Sequence, residues 1–190
     1  MSTAREPVLR ASHLGISFGG LKAVDDFNLE IGESELIGLI GPNGAGKTTV
    51  FNLLTGVYQP TEGAFYVCGE NMAGKKPHQV VASGVARTFQ NIRLFKKLTV
   101  LENVKVAMNR TMKYSVAQAL LRGGRYWAEE KETDARARAL LRMVHLEEKA
   151  AYVAENLPYG QQRRLEIARA LATGMKVLLL DEPAAGMNPT

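Results

Sequence analysis

Apolar and polar positions alternate through the first third of the chain. Phe27, Leu29 and Ile31 are separated by Asn28 and Glu30, a period of two that predicts a half-buried antiparallel strand. The stretch VLRASHLGISFGG, residues 8–20, carries a similar pattern, and GAFYVCGE, residues 63–70, predicts another strand with a turn on either side. The run ELIGLI, residues 35–40, is short and apolar, which fits a strand buried on both faces. After about Phe89 the period changes to a helical one. Helices are predicted in TVLENVKVAM, in SVAQALL and in EEKETDARARALLRMV, where Ala135, Ala139, Leu140 and Val144 can share one face. RGGR, residues 122–125, marks a break between helices. An apolar strand returns over residues 176–180. The order is a strand-rich beginning, a helical middle and a return to the sheet, hence an α/β fold, without internal repeats or low-complexity linkers.

Two stretches carry chemistry on this framework. Residues 41–48 read G-x-x-x-x-G-K-T between the predicted strand at 35–40 and a helical pattern. Gly41, Gly44 and Gly46 let the backbone curl so that successive N–H groups face inward. Those amides and the helix start together cradle a polyphosphate. Lys47 supplies a point charge for the β- and γ-phosphates, Thr48 a hydroxyl for Mg²⁺, and Thr49 reaches the α-phosphate. The second stretch is MKVLLLDEPAAGMNP, in which an apolar strand delivers Asp181 and Glu182 at its carboxyl end, where parallel α/β sheets bind ligands. Asp181 would hold Mg²⁺ through a water, and Glu182 would orient and polarise the water that attacks the γ-phosphate.

Composition narrows the class. The chain has 190 residues, 46% hydrophobic and 23% charged, the range of a globular protein with one core and room for a small subdomain. Its longest apolar runs are too short to span a bilayer, and MSTAREPVLR lacks the apolar stretch of a secretory signal. The one cysteine, Cys68, excludes an internal disulfide and a thiolate metal cluster, and its place in a predicted strand suggests a buried, inert thiol. Net charge is +5, with eight Lys/Arg against four Asp/Glu between Arg110 and Arg142. No aromatic residues interleave with these charges in a base-stacking pattern, so nucleic acid is not an expected partner.

With both motifs placed, the chain resembles an ATP-binding cassette (ABC) ATPase over nearly its whole length. The order that carries the resemblance is the phosphate loop, RTFQN, a helical middle, LPYGQQRRLEIARAL and then LLLDEP. More narrowly, FGGLKAV, GPNGAGKTTVFNLLTG, RTFQNIRLF, YGQQRRLEIARAL and DEPAAGMNP look like the ATPase subunit of branched-chain amino-acid importers. The resemblance implies a P-loop NTPase (RecA-like) core with an antiparallel β-subdomain at the amino terminus and an inserted α-helical subdomain. Residues 1–90 and 161–190 would form the core and residues 91–160 the helical part. It implies ATP held by Phe18 on the adenine and by Gly41, Asn43, Gly44, Ala45, Gly46, Lys47, Thr48 and Thr49. Mg²⁺ would be held by Thr48, Gln90 and Asp181, with Glu182 and Gln90 acting on the water. Residues 184–188 would form a loop that reports across a dimer.

The same resemblance implies a second ATPase subunit, identical or different, packed head to tail. Gly160 and Gln161 of one copy would then face the nucleotide of the other. Leu157–Gln161 reads L-P-Y-G-Q where the family has L-S-G-G-Q, so Pro158 stands where a serine hydroxyl would touch the partner's γ-phosphate. Leu165, Ala168 and Ala172 give the following helix a buried face, while Arg163, Arg164 and Arg169 are expected as surface or interface charges. Further implied partners are permease subunits, contacted around residues 90–95, and indirectly a periplasmic binding protein, with the chain at the inner face of the bacterial plasma membrane. The family also has a switch histidine beyond the acid pair. The eight residues after Glu182 include none, so a carboxyl-terminal truncation with weak turnover and poor solubility is expected. Alternatives are the ATPase of another ABC system, such as lipid export, and a nucleotide-binding fragment without turnover. A DNA-repair or translation ATPase is disfavoured by the single cassette and the absence of zinc cysteines.

Overall fold

A computed structural model describes residues 6–88, 92–108 and 124–181, with side chains from Trp127 onward in the last segment. The chain divides into two compact units, one ending at Ala86 and the other beginning at Arg87.

The amino-terminal unit is built on a four-stranded antiparallel sheet in the order β2-β1-β3-β4. Its strands are β1 (Leu9–Phe18), β2 (Leu21–Ile31), β3 (Glu62–Val67) and β4 (Glu70–Asn71). β1 pairs with β2 from Leu9 opposite Ile31 to Phe18 opposite Leu21, and with β3 from Leu9 opposite Val67. The alternation expected in β2 is present: Phe27, Leu29 and Ile31 are partly covered and Asn28 and Glu30 are exposed. Leu9, Ala11, Leu14 and Ile16 of β1, Phe65 and Val67 of β3, and Val50, Leu53 and Leu54 of helix α1 (Lys47–Leu54) are buried. The unit also holds a short helix, α2 (Pro77–Ala82), whose Val80 is buried.

A bulge breaks the β1 ladder between Ala11 and Leu14 and puts His13 at φ 49°. It pushes the His13 carbonyl toward β3, where Gly63 sits at φ 68°. A Cβ on Gly63 would lie 2.2 Å from that oxygen, so only glycine fits.

Two expectations fail in this unit. Residues 35–40 form no strand, and Leu36 and Ile40 stand 96% and 94% exposed. A doubly buried strand needs ladder partners on both sides. After β2 the chain turns at Gly32, whose N–H donates to Glu35 Oε2 (2.7 Å), and residues 35–40 join neither edge of the four-stranded sheet. Cys68 is exposed rather than buried, because it falls in the tight turn between β3 and β4, at φ 48° and followed by Gly69 at φ 78°.

The carboxyl-terminal unit is helical around one apolar cluster. Helices α3 (Val100–Met108), α4 (Gly124–Met143) and α5 (Tyr159–Ala172) contribute Val100, Val104, Ala137, Leu141, Leu165 and Ala168, all 0% exposed. Leu146, Ala150, Ala154 and Leu157 close the cluster from the turns between α4 and α5. The buried face of α4 is offset from the expected one. Thr133, Ala137 and Leu141 point inward at intervals of four, Ala135 and Ala139 are exposed, and Leu140 and Val144 are only partly covered. Alanines at 135, 137 and 139 alternate with charged residues, so more than one apolar phase suited the pattern, and the packing of α3 and α5 selected one. The helix expected in SVAQALL and the first half of RGGR lie outside the described residues. The returning strand is β6 (Val177–Leu179), and β5 (Val85–Arg87) leads into Thr88, whose N–H donates to Leu179 O at 3.0 Å. Among the described residues no helix is long and apolar enough to cross a membrane.

The Gly63 contact gives a direct test. Gly63→Ala should lower unfolding stability by about 2 kcal/mol or more, from a left-handed backbone and a backbone clash together. Gly74→Ala, at φ 75° but with nothing within 4 Å of its Cβ, should cost about 1 kcal/mol. Urea unfolding of the two variants compares them, and equal losses would show that the close approach to His13 is not limiting.

Candidate nucleotide-phosphate loop and acid-bearing strand

The loop at residues 41–48 is shaped for an anion. Gly44 and Gly46 adopt φ 83° and 78°, and Gly46 is the N-cap of α1. A Cβ on Gly46 would meet the Ala23 carbonyl of β2 at 2.7 Å, so the helix start is seated against the sheet by a contact that excludes any side chain. This fixes the positive end of α1 and its N–H groups behind the loop. Ala45 N–H donates back to Pro42 O (3.2 Å), closing the turn. Lys47 reaches along the same loop, and its Nζ donates to Gly41 O (2.6 Å) and Pro42 O (2.7 Å). The ammonium therefore lies inside the curl of backbone where a polyphosphate would sit. Residues 38–45, Asn43 among them, are exposed, and Thr48 and Thr49 follow in the first turn of α1. Phe18, at the end of β1, is 45% exposed and meets Tyr58 edge to face, with ring centroids 5.3 Å apart and planes at 73°. That leaves ring area open to a flat partner.

In the carboxyl-terminal unit, Asp181 follows β6, and its Oδ2 accepts a hydrogen bond from Arg87 Nη2 at 2.8 Å. The two side chains are 7% and 17% exposed, so this ion pair is largely desolvated. Asp181 N–H also points to Thr88 Oγ1 at 3.4 Å. The strand end carrying the acid is thus fastened to Arg87 and Thr88 by side chain and backbone. Gln90, Glu182 and the loop at residues 184–188 lie outside the described residues.

Gly160 and Gln161 occupy the first turn of α5, with Pro158 as N-cap. Gln161 is held from outside its helix, because Lys149 Nζ donates to Gln161 Oε1 at 2.9 Å. A Cβ on Gly160 would meet nothing within 4 Å. Among the described residues nothing crowds that position. Leu165, Ala168 and Ala172 form the buried face that the sequence suggests.

Of the three arginines of α5, Arg163 departs from expectation, while Arg164 and Arg169 remain partly exposed. Arg163 is 3% exposed and pairs with Glu166 (Nη1 to Oε2, 3.1 Å), which is itself 6% exposed. Glu166 also accepts from the Arg93 backbone N–H (3.4 Å), and Arg169 donates to Arg93 O and stacks over Phe95 at 4.9 Å. Arg163 and Glu166 are interior charges, and Glu166 and the partly exposed Arg169 tie α5 to Arg93 and Phe95. Arg163 and Glu166 lie inside because α5 buries its polar i, i+3 pair as a neutral unit. A basic run in the sequence does not distinguish that from a solvated face.

Sequence reasoning also passed over Asn103. It is 0% exposed on α3; its Oδ1 accepts from Phe95 N–H (3.0 Å), and its Nδ2 donates to Phe95 O (3.0 Å) and Thr99 O (2.9 Å). It anchors the segment at Leu94–Phe95 to the helical core. Nearby, Thr99 and Glu102 exchange hydrogen bonds at the start of α3: Thr99 N–H donates to Glu102 Oε2 (2.7 Å), and Glu102 N–H to Thr99 Oγ1 (3.2 Å). The backbone N–H of Thr99 holds the Glu102 carboxyl below its ordinary range. The T-x-x-E spacing was legible as a helix start; the role of Asn103 had no comparable signal.

Comparisons with known proteins bear on both sites. A family model described as ABC transporter matches residues 24–185. The chain is 48% identical over 183 residues to the high-affinity branched-chain amino acid transport ATP-binding protein BraF of Pseudomonas aeruginosa, spanning 96% of this chain and 72% of that protein. It is 46% identical over 184 residues to the corresponding LivG protein of Escherichia coli, spanning 97% and 72%. Among solved structures it matches the ADP conformation of MJ1267, an ATP-binding cassette of an ABC transporter. The TM-score is 0.78 and the identity 32%, over 96% of this chain and 71% of that one. It also matches the dimeric post-hydrolysis state of the ATP-binding cassette MJ0796 bound to ADP and Pi, with a TM-score of 0.75 and 27% identity over 95% and 76%.

Removal of the Asn103 amide should unpin the Leu94–Phe95 segment. Asn103→Ala removes the buried amide that pairs with the Phe95 N–H and C=O and should cost about 1–3 kcal/mol of stability. Amide exchange at Phe95 should accelerate with it, and unchanged exchange would show that other contacts hold the segment.

Proposed function

The chain belongs to the ABC transporter family, and we propose that it is the ATP-binding subunit of a branched-chain amino-acid importer, hydrolysing ATP to drive uptake. The observation that carries this reading is the loop at residues 41–48. Its left-handed glycines, its lysine and its position at the head of α1 would form a phosphate cradle, in a chain akin to branched-chain amino-acid transport subunits. Lys47 would exchange its two loop carbonyls for the β- and γ-phosphates, and Thr49 would reach the α-phosphate. Phe18 would offer its open ring to adenine.

The residues present fit Mg²⁺. Thr48 carries a hydroxyl and Asp181 a carboxylate paired with Arg87, each an oxygen donor within its own unit. The described residues contain no group of three or more His, Cys, Asp or Glu side chains able to hold a metal. A sparse all-oxygen set is what an ion that keeps several of its own waters requires. Mg²⁺, when bound, neutralises charge on the phosphate oxygens. Gln90 would complete the metal's contacts. Glu182 would orient the attacking water and accept its proton.

Gly160 and Gln161 would act in a second copy or a related subunit, with Gly160 leaving room for the partner's nucleotide. The relative MJ0796, bound to ADP and Pi, is dimeric, which supports this arrangement. Pro158 contributes neither hydroxyl nor N–H to that contact, so the trans contact to the γ-phosphate should be weaker than in a serine-bearing relative. The pair would sit at the inner face of the membrane against permease subunits served by a periplasmic binding protein.

Two measurements test this. The purified chain should bind a fluorescent ATP analogue, and Lys47→Ala should weaken binding at least tenfold; equal binding would remove the loop from the site. In a Glu182→Gln background, Pro158→Ser should strengthen ATP-dependent dimerisation in sedimentation velocity. An unchanged dimer constant would show that the missing hydroxyl is immaterial.

A further inference from the structure

We propose that Arg87 is a positioning residue that sets the divalent-cation affinity of Asp181 by competing for its carboxylate. The inference rests on the reading of Asp181 as a metal-holding group. The observations are the 2.8 Å contact from Arg87 Nη2 to Asp181 Oδ2 and the 7% and 17% exposure of the two side chains. The backbone adds two fastenings, Thr88 N–H to Leu179 O at 3.0 Å and Asp181 N–H to Thr88 Oγ1 at 3.4 Å. The two strand ends that carry Arg87 and Asp181 are therefore held together by Thr88 as well as by the ion pair.

The chemistry has two consequences. Arginine keeps its charge at every physiological pH, so a fixed cation stands beside the Asp181 carboxylate and orients it before any divalent ion arrives. The contact uses Oδ2 and leaves Oδ1 for a cation and its waters. A dication approaching Oδ1 also meets the guanidinium charge across the same carboxylate, in surroundings that screen weakly. Arg87 thus prepares the acid and lowers its affinity for the cation. A neutral side chain of similar length would leave the acid more attractive to a dication, whereas a purely structural counter-ion would leave it unchanged or weaker.

The test is Mn²⁺ binding to the purified chain in the presence of ADP, followed by electron paramagnetic resonance at neutral pH. Arg87→Met should tighten Mn²⁺ at least threefold, and Arg87→Lys, which keeps the charge, should stay within twofold of the parent. Unchanged or weaker Mn²⁺ binding in folded Arg87→Met overturns the proposal. Asp181→Asn separates the two levels of inference: if it leaves Mn²⁺ binding intact, the reading of Asp181 as a metal group fails first. Should Arg87→Met not fold, the unmodified chain decides. Its Arg87 guanidinium NMR signal, assigned through Arg87→Lys, should move when Mg²⁺ is added to the ADP-bound chain. A signal that stays in place overturns the proposal.

Discussion

A carboxylate taken out of water must be met by a positive charge, and this requirement organises the carboxyl-terminal unit. Two acids meet it there. Asp181, at the end of β6, is met by Arg87, and Glu166, inside α5, is met by Arg163 and by the backbone of Arg93. Each pairing costs desolvation that its own attraction only partly offsets. What the pairs supply is register. Arg87 fixes the strand end that carries the acid. Glu166 fixes the backbone at Arg93 against the helix that begins at Tyr159. The apolar cluster of α3, α4 and α5 provides the stability that makes these placements tolerable.

The amino-terminal unit meets a different constraint, the approach of two backbones with no room for a side chain. Gly46 against Ala23 O seats the phosphate loop on the sheet, and Gly63 against His13 O absorbs the bulge in β1. The first contact holds a helix start in fixed relation to the antiparallel sheet, and the second fixes two strands within it. An anion site built from backbone N–H groups depends on that relation, because such groups cannot be re-aimed by a rotamer change.

Much of this was legible in the residues. The glycine spacing of residues 41–48 is local physics, so the left-handed turns at Gly44 and Gly46 and the helix start at Lys47 fall as expected. The alternation in β2 also survives, since one face is packed and the other solvated. Legibility failed where the deciding partner is distant in sequence. The phase of α4 depends on α3 and α5, and apolar residues alone did not choose between Ala135 and Ala137. Residues 35–40 have strand character, yet a ladder must be supplied by other strands. Arg163 resembles a surface charge until Glu166 turns inward beside it. Arg87 carried a faint signal, a charged residue in an apolar strand, but its partner lies 94 positions away.

The turn that brings Cys68 to the surface has a practical side. The chain contains a single cysteine, and it stands exposed between β3 and β4. One maleimide dye would therefore attach at one known place without any engineered substitution. The native chain is in that sense already a fluorescence reagent, with its reporter on the sheet that seats the phosphate loop.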